Sequence, residues 1–397
     1  MPTSDLARFA LDPSITFLNH GSFGACPTAV LDAQQALQRE LEREPVRFFV
    51  HELGGRIDAA REVLARFVGS APEHLVFVRN ATEGVAAVLA SLAPTLEEGD
   101  ELLTTSHAYG ACKNALERLA RQTGARVTTA DVPFPIADPG HVLDALDAAV
   151  TPRTRLALVD HVTSPTGLVF PIEAIVARLE ARGVRVLVDG AHGPGMVPLA
   201  LDALGASYYT GNLHKWCCAP KGAGLLHVRA DRASEIHPAI TSHGMRSRRA
   251  RPLLWEEFDW TGTDDPSAWL CVPIALEELA SMRPGGWPEV MREQRDKAAR
   301  AQRALCATLG IEPPAPAEML GALASVPLPA NAGPAPTSAW DTDPLWQRLE
   351  TRHRIQIPVF PWPAPPARLL RIACPLYVDD DDVAKLCAAL REELTPA

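Results

Sequence analysis

The sequence predicts an α/β fold: a mainly parallel central sheet covered by helices, followed by a smaller C-terminal α+β domain. Three observations carry this. From about residue 70 to 230, short apolar runs alternate with amphipathic segments. Those runs are continuously apolar, as strands buried on both faces are. A Pro-rich stretch, "IEPPAPAEML" (311–320), then breaks the rhythm, and a different mixture of strands and helices follows.

Taken in order, residues 28–68 read as helices flanking "EPVRFFVHEL". The runs "HLVFV" (74–78), "ELLTT" (101–105), "ARVTTA" (125–130), "RLALVD" (155–160), "VRVLVD" (184–189), "ASYYT" (206–210) and "AGLLHV" (223–228) read as strands. Segments such as "GACKNALERLARQ" and "PIEAIVARLEARG" separate the first six and carry helical periodicity. Residues 265–282 and 287–310 are also helical, the second run long enough to link two domains. The tail predicts strands near 322–327, 355–359 and 368–373, helices near 342–351 and 380–393, and Ala/Pro-rich loops at 328–337 and 361–367. The expected organisation is an N-terminal segment (1–30) contributing to the site, a large domain (31–285) and a small domain with its linking helix (286–397).

A net charge of −10 over 397 residues argues against nucleic-acid or anionic-membrane binding, which would want a basic face. No apolar run reaches the length of a membrane span, and the N-terminus lacks a signal-peptide pattern. Eight scattered cysteines without CxxC spacing indicate free thiols and a cytoplasmic location. The basic residues comprise 33 Arg and only five Lys, at 113, 215, 221, 297 and 385. If an amine does chemistry here, the candidates are few.

Two charges stand in costly places. Asp189 ends a buried strand, where a carboxylate needs a cation or donors. It either caps the next segment, faces a ligand cation, or joins His192 at a divalent ion; no third ligand has convincing spacing, so no metal is expected. Lys215 lies in "YYTGNLHKW" (208–216), where strand gives way to loop beside Trp216. Apolar surroundings lower a lysine's pKa and make it nucleophilic. Lys113, Lys297 and Lys385 fit ordinary surface positions, and Lys221 in "APKGAG" reads either way.

An amine and an acid at two strand ends suit pyridoxal 5'-phosphate, which bonds a lysine through its aldehyde and needs an acid opposite its ring nitrogen. A phosphate site is offered by "VFVRNATEGVAAVL", where a strand ends and Thr82 opens a helix, although Thr82 is also an ordinary N-cap. In "ARLLRIACPLYV", Arg371 sits mid-strand, where arginine is rare unless paired; a substrate carboxylate is the functional partner, with Arg368 the nearby alternative.

As a set, these motifs resemble the fold-type-I pyridoxal-phosphate enzymes of the class-V aminotransferase group. With "FLNHGSFGACP" (17–27), "SHAYGA" (106–111), "DHVTSPTGLVFPI" (160–172), "VLVDGAHGPG" (186–195) and "FDWTGTDDPSAWL" (258–270), they resemble its isopenicillin N epimerase-like branch over nearly the whole chain. The resemblance implies Lys215 as the Schiff-base lysine, Asp189 as partner of the ring nitrogen, and His192 near the ring. Thr82 and the Ala81 amide would hold the phosphate with Asn212 and His214, and Thr163 would lie near the phenolic oxygen. Thr263 would reach the phosphate of a neighbouring subunit, implying a homodimer with shared active sites. His107 or Tyr109 would stack on the ring. Arg371 would bind the substrate carboxylate, and Asn19 and His20 would face the site or simply form a turn. The chain has "RIA" where "RIS" is usual in the family, so the carboxylate pocket differs in detail. The implied activity is epimerisation at the α-carbon of an amino acid, with a carbon–sulfur β-lyase, an aminotransferase and a non-catalytic binding protein as rivals. Tyr109 is the candidate proton donor for the opposite face. Cys374, Cys217 and Cys218 read as core thiols rather than sulfur acceptors.

Overall fold

The structure is a computed structural model that describes residues 5–331, 337–338 and 341–394; the end of the expected loop at 328–337 falls partly outside them. Among the described residues the strands are β1 (Thr16–Phe17), β2 (Leu75–Val78), β3 (Glu101–Thr105), β4 (Arg126–Ala130), β5 (Thr154–Asp160), β6 (Arg185–Gly190), β7 (Tyr208–Asn212), β8 (Gly224–Val228), β9 (Leu323–Leu328), β10 (Ile355–Gln356), β11 (Val359–Pro361) and β12 (Arg368–Ala373). Seven of them form the central sheet in the order β2-β8-β7-β6-β5-β3-β4. The β4, β3, β5, β6 and β7 neighbours run parallel, whereas β8 is antiparallel to both β7 and β2.

Parallel strands need crossovers, and helices such as Gly110–Thr123 and Ile172–Glu180 supply them on both faces. Two apolar clusters accordingly lie on opposite sides of the sheet, one around Val186, Val188 and Ile175, the other around Leu187, Leu158 and Leu116. β7 starts two residues later than expected. Ser207 gives its N–H (2.9 Å) and hydroxyl (2.7 Å) to Glu180, so the ladder begins only at Tyr208.

The C-terminal part carries a three-stranded antiparallel sheet, β11-β12-β9, against the helix Gly286–Leu309 and the helix Asp380–Leu394. β1 pairs in parallel with β10, and Leu18 accepts from the Ala373 N–H at 3.0 Å. The start of the chain is thereby stitched to the C-terminal sheet. In the register of the central sheet, Asp160 lies opposite Asp189, and Asp189 opposite Thr210. The C-terminal ends of β5, β6 and β7 therefore meet at one edge, the place where such sheets bind ligands.

Candidate active site

At that edge is a cavity of about 210 Å³ whose walls include Lys215, Asp189, His192, Tyr109, Thr82 and Asn212. Lys215 sits just past β7 and is half-buried at the cavity wall. Burial, then the charge of Arg371, lowers its amine to about 7, against an opposing pull from Asp189.

Hydrogen-bond partners fix how that amine is held. The Trp216 indole N–H can only donate, and it gives its hydrogen to His192 Nδ1 at 3.2 Å. A neutral imidazole with an accepting Nδ1 carries its proton on Nε2. Burial depresses His192 well below its ordinary value, so it is the neutral form that is held. His192 Nε2–H therefore donates to Lys215 Nζ, 3.1 Å away, and the amine accepts with its lone pair. The chain Trp216–His192–Lys215 favours the unprotonated form of the amine.

Asp189 Oδ1 accepts from the Ala191 N–H (3.0 Å) and Oδ2 from the Cys112 thiol (3.1 Å). Opposite it, the helix Ala81–Leu92 points its N-terminus into the cavity. The Ala81 N–H is already given to Asn212 Oδ1 at 2.8 Å, so this amide is not free for an anion, contrary to expectation. Asn80 caps the helix by accepting from Glu83 N–H, which frees Thr82 from that role. Thr82 lines the cavity, and its amide and hydroxyl have no partner among the described residues. His214 gives Nδ1–H to the Ala223 carbonyl (3.0 Å), and burial lowers it to about 4. Its Nε2 thus accepts unless a bound anion brings a proton there.

Four expectations need correction. His107 is buried away from the cavity, with Nδ1 on Thr166 (2.7 Å), Nε2 on the Val132 carbonyl (3.0 Å), and Phe134, Phe170 and Trp362 around its ring. Tyr109, not His107, lies on the cavity wall, 46% exposed, with its phenol pushed up by burial. Thr163 is fully buried and closes a turn with Thr166 (2.7 Å) and the Leu168 N–H (2.9 Å), so Val162 and Ser164 face the cavity instead. Asn19 and His20 do not line the cavity. His20 is fully buried: its Nε2–H donates to the Lys215 carbonyl (3.0 Å), while Nδ1 accepts from Tyr377 (2.9 Å) and Ala25 (3.2 Å). Asn19 accepts from Ser22, and it is Ser22 that reaches the cavity.

Arg371 is buried beside this wall. It donates to the Ser164 carbonyl (2.5 Å) and hydroxyl (3.0 Å) and to Ser22 (3.1 Å). It has no carboxylate partner among the described residues, its Nε is unpartnered, and burial lowers it to about 10. Arg368, the alternative, is committed to Asp343 at 2.7 Å. Thr263 lies elsewhere, in a depression with Gln38, Leu41 and Phe49.

Asp160, Cys112, Ser22 and Ser164 were not singled out by sequence. Asp160 carries the same signal as Asp189, a carboxylate closing an apolar strand, but only the register places the two side by side. Nothing in the sequence marks Cys112, a residue on a helix face.

The aminotransferase class-V family profile matches residues 18–327. The chain belongs to the class-V aminotransferase family. It is 35% identical to isopenicillin N epimerase of Amycolatopsis lactamdurans, over 97% of this chain and 96% of that one. It is 32% identical to a probable chloroplastic L-cysteine desulfhydrase of Arabidopsis thaliana, over 96% and 83%. Its fold is similar to that of the cysteine desulfurase CsdA from Escherichia coli (TM-score 0.77, 21% identity, covering 99% of this chain and 98% of that one). The family member described here thus has the fold-type-I architecture, with a mostly parallel sheet and a smaller C-terminal sheet region.

Proposed function

We propose that this chain is a pyridoxal 5'-phosphate-dependent enzyme acting at the α-carbon of an amino acid, and that the reaction is an epimerisation. The observation that carries the reading is the Lys215 amine, hydrogen-bonded to His192 and lowered by burial, in one cavity with Asp189. The residues fit the group. The amine suits the aldehyde, Asp189 suits the ring nitrogen, and the unpartnered Thr82 amide and hydroxyl at a helix N-terminus suit the phosphate. Asn212 and His214 border the same end. When bound, the cofactor supplies an electron sink for charge left at the α-carbon.

The chain's own residues do the rest. Lys215 anchors the cofactor and, once released, takes and returns the α-proton as a neutral amine. Arg371, free of any carboxylate, binds that of the substrate and so decides which α-bond faces Lys215. Tyr109 keeps its phenolic proton at neutral pH and is the donor for the opposite face. The working unit proposed is a homodimer in which Thr263 serves the neighbouring copy's phosphate. Val46 and Val50, exposed next to Pro45 and Phe49 of that depression, support a covered surface there.

A β-lyase on a cysteine derivative is the second reading, supported by the desulfhydrase relatives. A desulfurase cycle is disfavoured, because all eight cysteines are buried. The test is to incubate the holoenzyme with a panel of amino acids in deuterated water. Alpha-deuterium with loss of optical purity supports epimerisation. Pyruvate with sulfide, thiol or ammonia replaces it with the lyase. A lasting pyridoxamine form makes it an aminotransferase, and no change with any amino acid ends the catalytic reading.

A further inference from the structure

A second buried carboxyl stands beside the first, and the reaction as proposed leaves it without a task. Asp160 and Asp189 are aligned partners on adjacent parallel strands, so their side chains leave the sheet on the same face, roughly 5 Å apart at the backbone. Each is 3% exposed, and both border the cavity. Two carboxylates so placed cannot both stay ionised without strong compensation.

The donors decide which of them keeps the proton. Asp189 has the Ala191 N–H on one oxygen and the Cys112 thiol on the other, with Lys215 across the cavity. Asp160 receives no side-chain hydrogen bond among the described residues. The groups facing it are its own N–H and that of Tyr109, Asp189 on β6, and Lys113 at the margin of the helix Gly110–Thr123. Cys112, on that helix, spends its hydrogen on Asp189.

We propose that Asp160 is a neutral carboxylic acid and acts as a positioning residue, leaving Asp189 as the cavity's single negative charge toward the cofactor ring. The inference rests on Asp189 being the ring-nitrogen partner. Burial first, and then the charge of Asp189, push the Asp160 carboxyl well up, in the direction the geometry requires. A neutral Asp160 adds no charge that would hold Lys215 in its ammonium form. It also keeps an O–H donor at the cavity wall, next to the Tyr109 backbone.

The experiment is infrared spectroscopy of the holoenzyme at neutral pH, comparing wild type with Asp160→Asn. A protonated-carboxyl stretch in the wild type that is missing from the variant is the expected result. A wild type without that band, or a variant that retains it, overturns the proposal. If the variant fails to fold, wild type labelled with carbon-13 aspartate answers the same question, since the band must shift with the label. A second readout is the pH at which the visible band of the Lys215-bound cofactor titrates. Replacing a neutral acid by an amide leaves it within about 0.3 unit, whereas removing a real charge moves it down by about one unit or more. Failure of the Asp189 reading looks different: Asp189→Asn would then bind pyridoxal phosphate with unchanged affinity and spectrum, while the infrared result for Asp160 stands.

Discussion

Because an indole nitrogen has no lone pair to offer, Trp216 holds the His192 proton on the side that faces Lys215. The rate at which cofactor-free protein captures pyridoxal phosphate is therefore expected to rise with pH to an inflection near 7 and then level off, as followed by absorbance. An ordinary lysine would keep gaining up to about 10.4. In Trp216→Phe, His192 is free to move its proton to Nδ1 and accept from an ammonium at Nε2. That change stabilises the charged amine, so the inflection moves to higher pH; an unmoved or lowered inflection refutes the assigned tautomer. Arg371→Lys keeps the charge but loses the planar fork. Its KM for the amino acid is expected to rise about thirtyfold or more, the scale for truncating one member of a buried charge pair at about 2 kcal/mol or above. Steady-state kinetics on the substrate identified in the panel checks this.

At the scale of elements, one carboxylate aligns two strands. Glu180, ending the helix Ile172–Glu180, accepts from the N–H of Val186 (3.0 Å) and from the N–H and hydroxyl of Ser207, so it ties the starts of β6 and β7. Glu180→Ala strands these donors and is expected to cost about 1–3 kcal/mol in urea unfolding. A Cβ on Gly84 would lie 2.1 Å from Thr210 Oγ1, so the helix Ala81–Leu92 packs directly on β7. Gly84→Ala should push the Thr82 end away and weaken pyridoxal phosphate binding more than it lowers stability, measured by titration beside melting. The strands of the central sheet were legible because each is a continuous apolar run, and Asp189 and Lys215 because charges at the ends of such runs are conspicuous. His107 misled because its spacing to Tyr109 lets either ring be drawn over the cofactor. Packing against Phe134, Phe170 and Trp362 decides between them, and those partners are distant in sequence. The same holds for Cys112, whose contact with Asp189 spans 77 positions.

Across the whole molecule, burial holds His20 down to about 3 and His107 and His161 to about 4. Below pH 6.5 the unfolded chain protonates all three while the native protein does not, so stability is full above that pH and falls as pH drops toward 4. Asp160 opposes this, since the native state holds a proton that the unfolded chain has lost above about 3.8. His192 and His214 are lowered as well, so the histidines outnumber Asp160, and each adds about 1.4 kcal/mol per pH unit once its unfolded form is protonated, read from urea midpoints between pH 6.5 and 4.5. A flat profile would mean that these histidines are charged in the folded protein. The N-terminal stitch has one more effect. The His20 ring, which donates to the Lys215 carbonyl, is itself held by Tyr377, 357 positions downstream. A ribosome therefore releases the whole central sheet before it makes the residue that holds His20. The loop after β7 gains this support only once the segment around Tyr377 has been made and folded back onto that around His20.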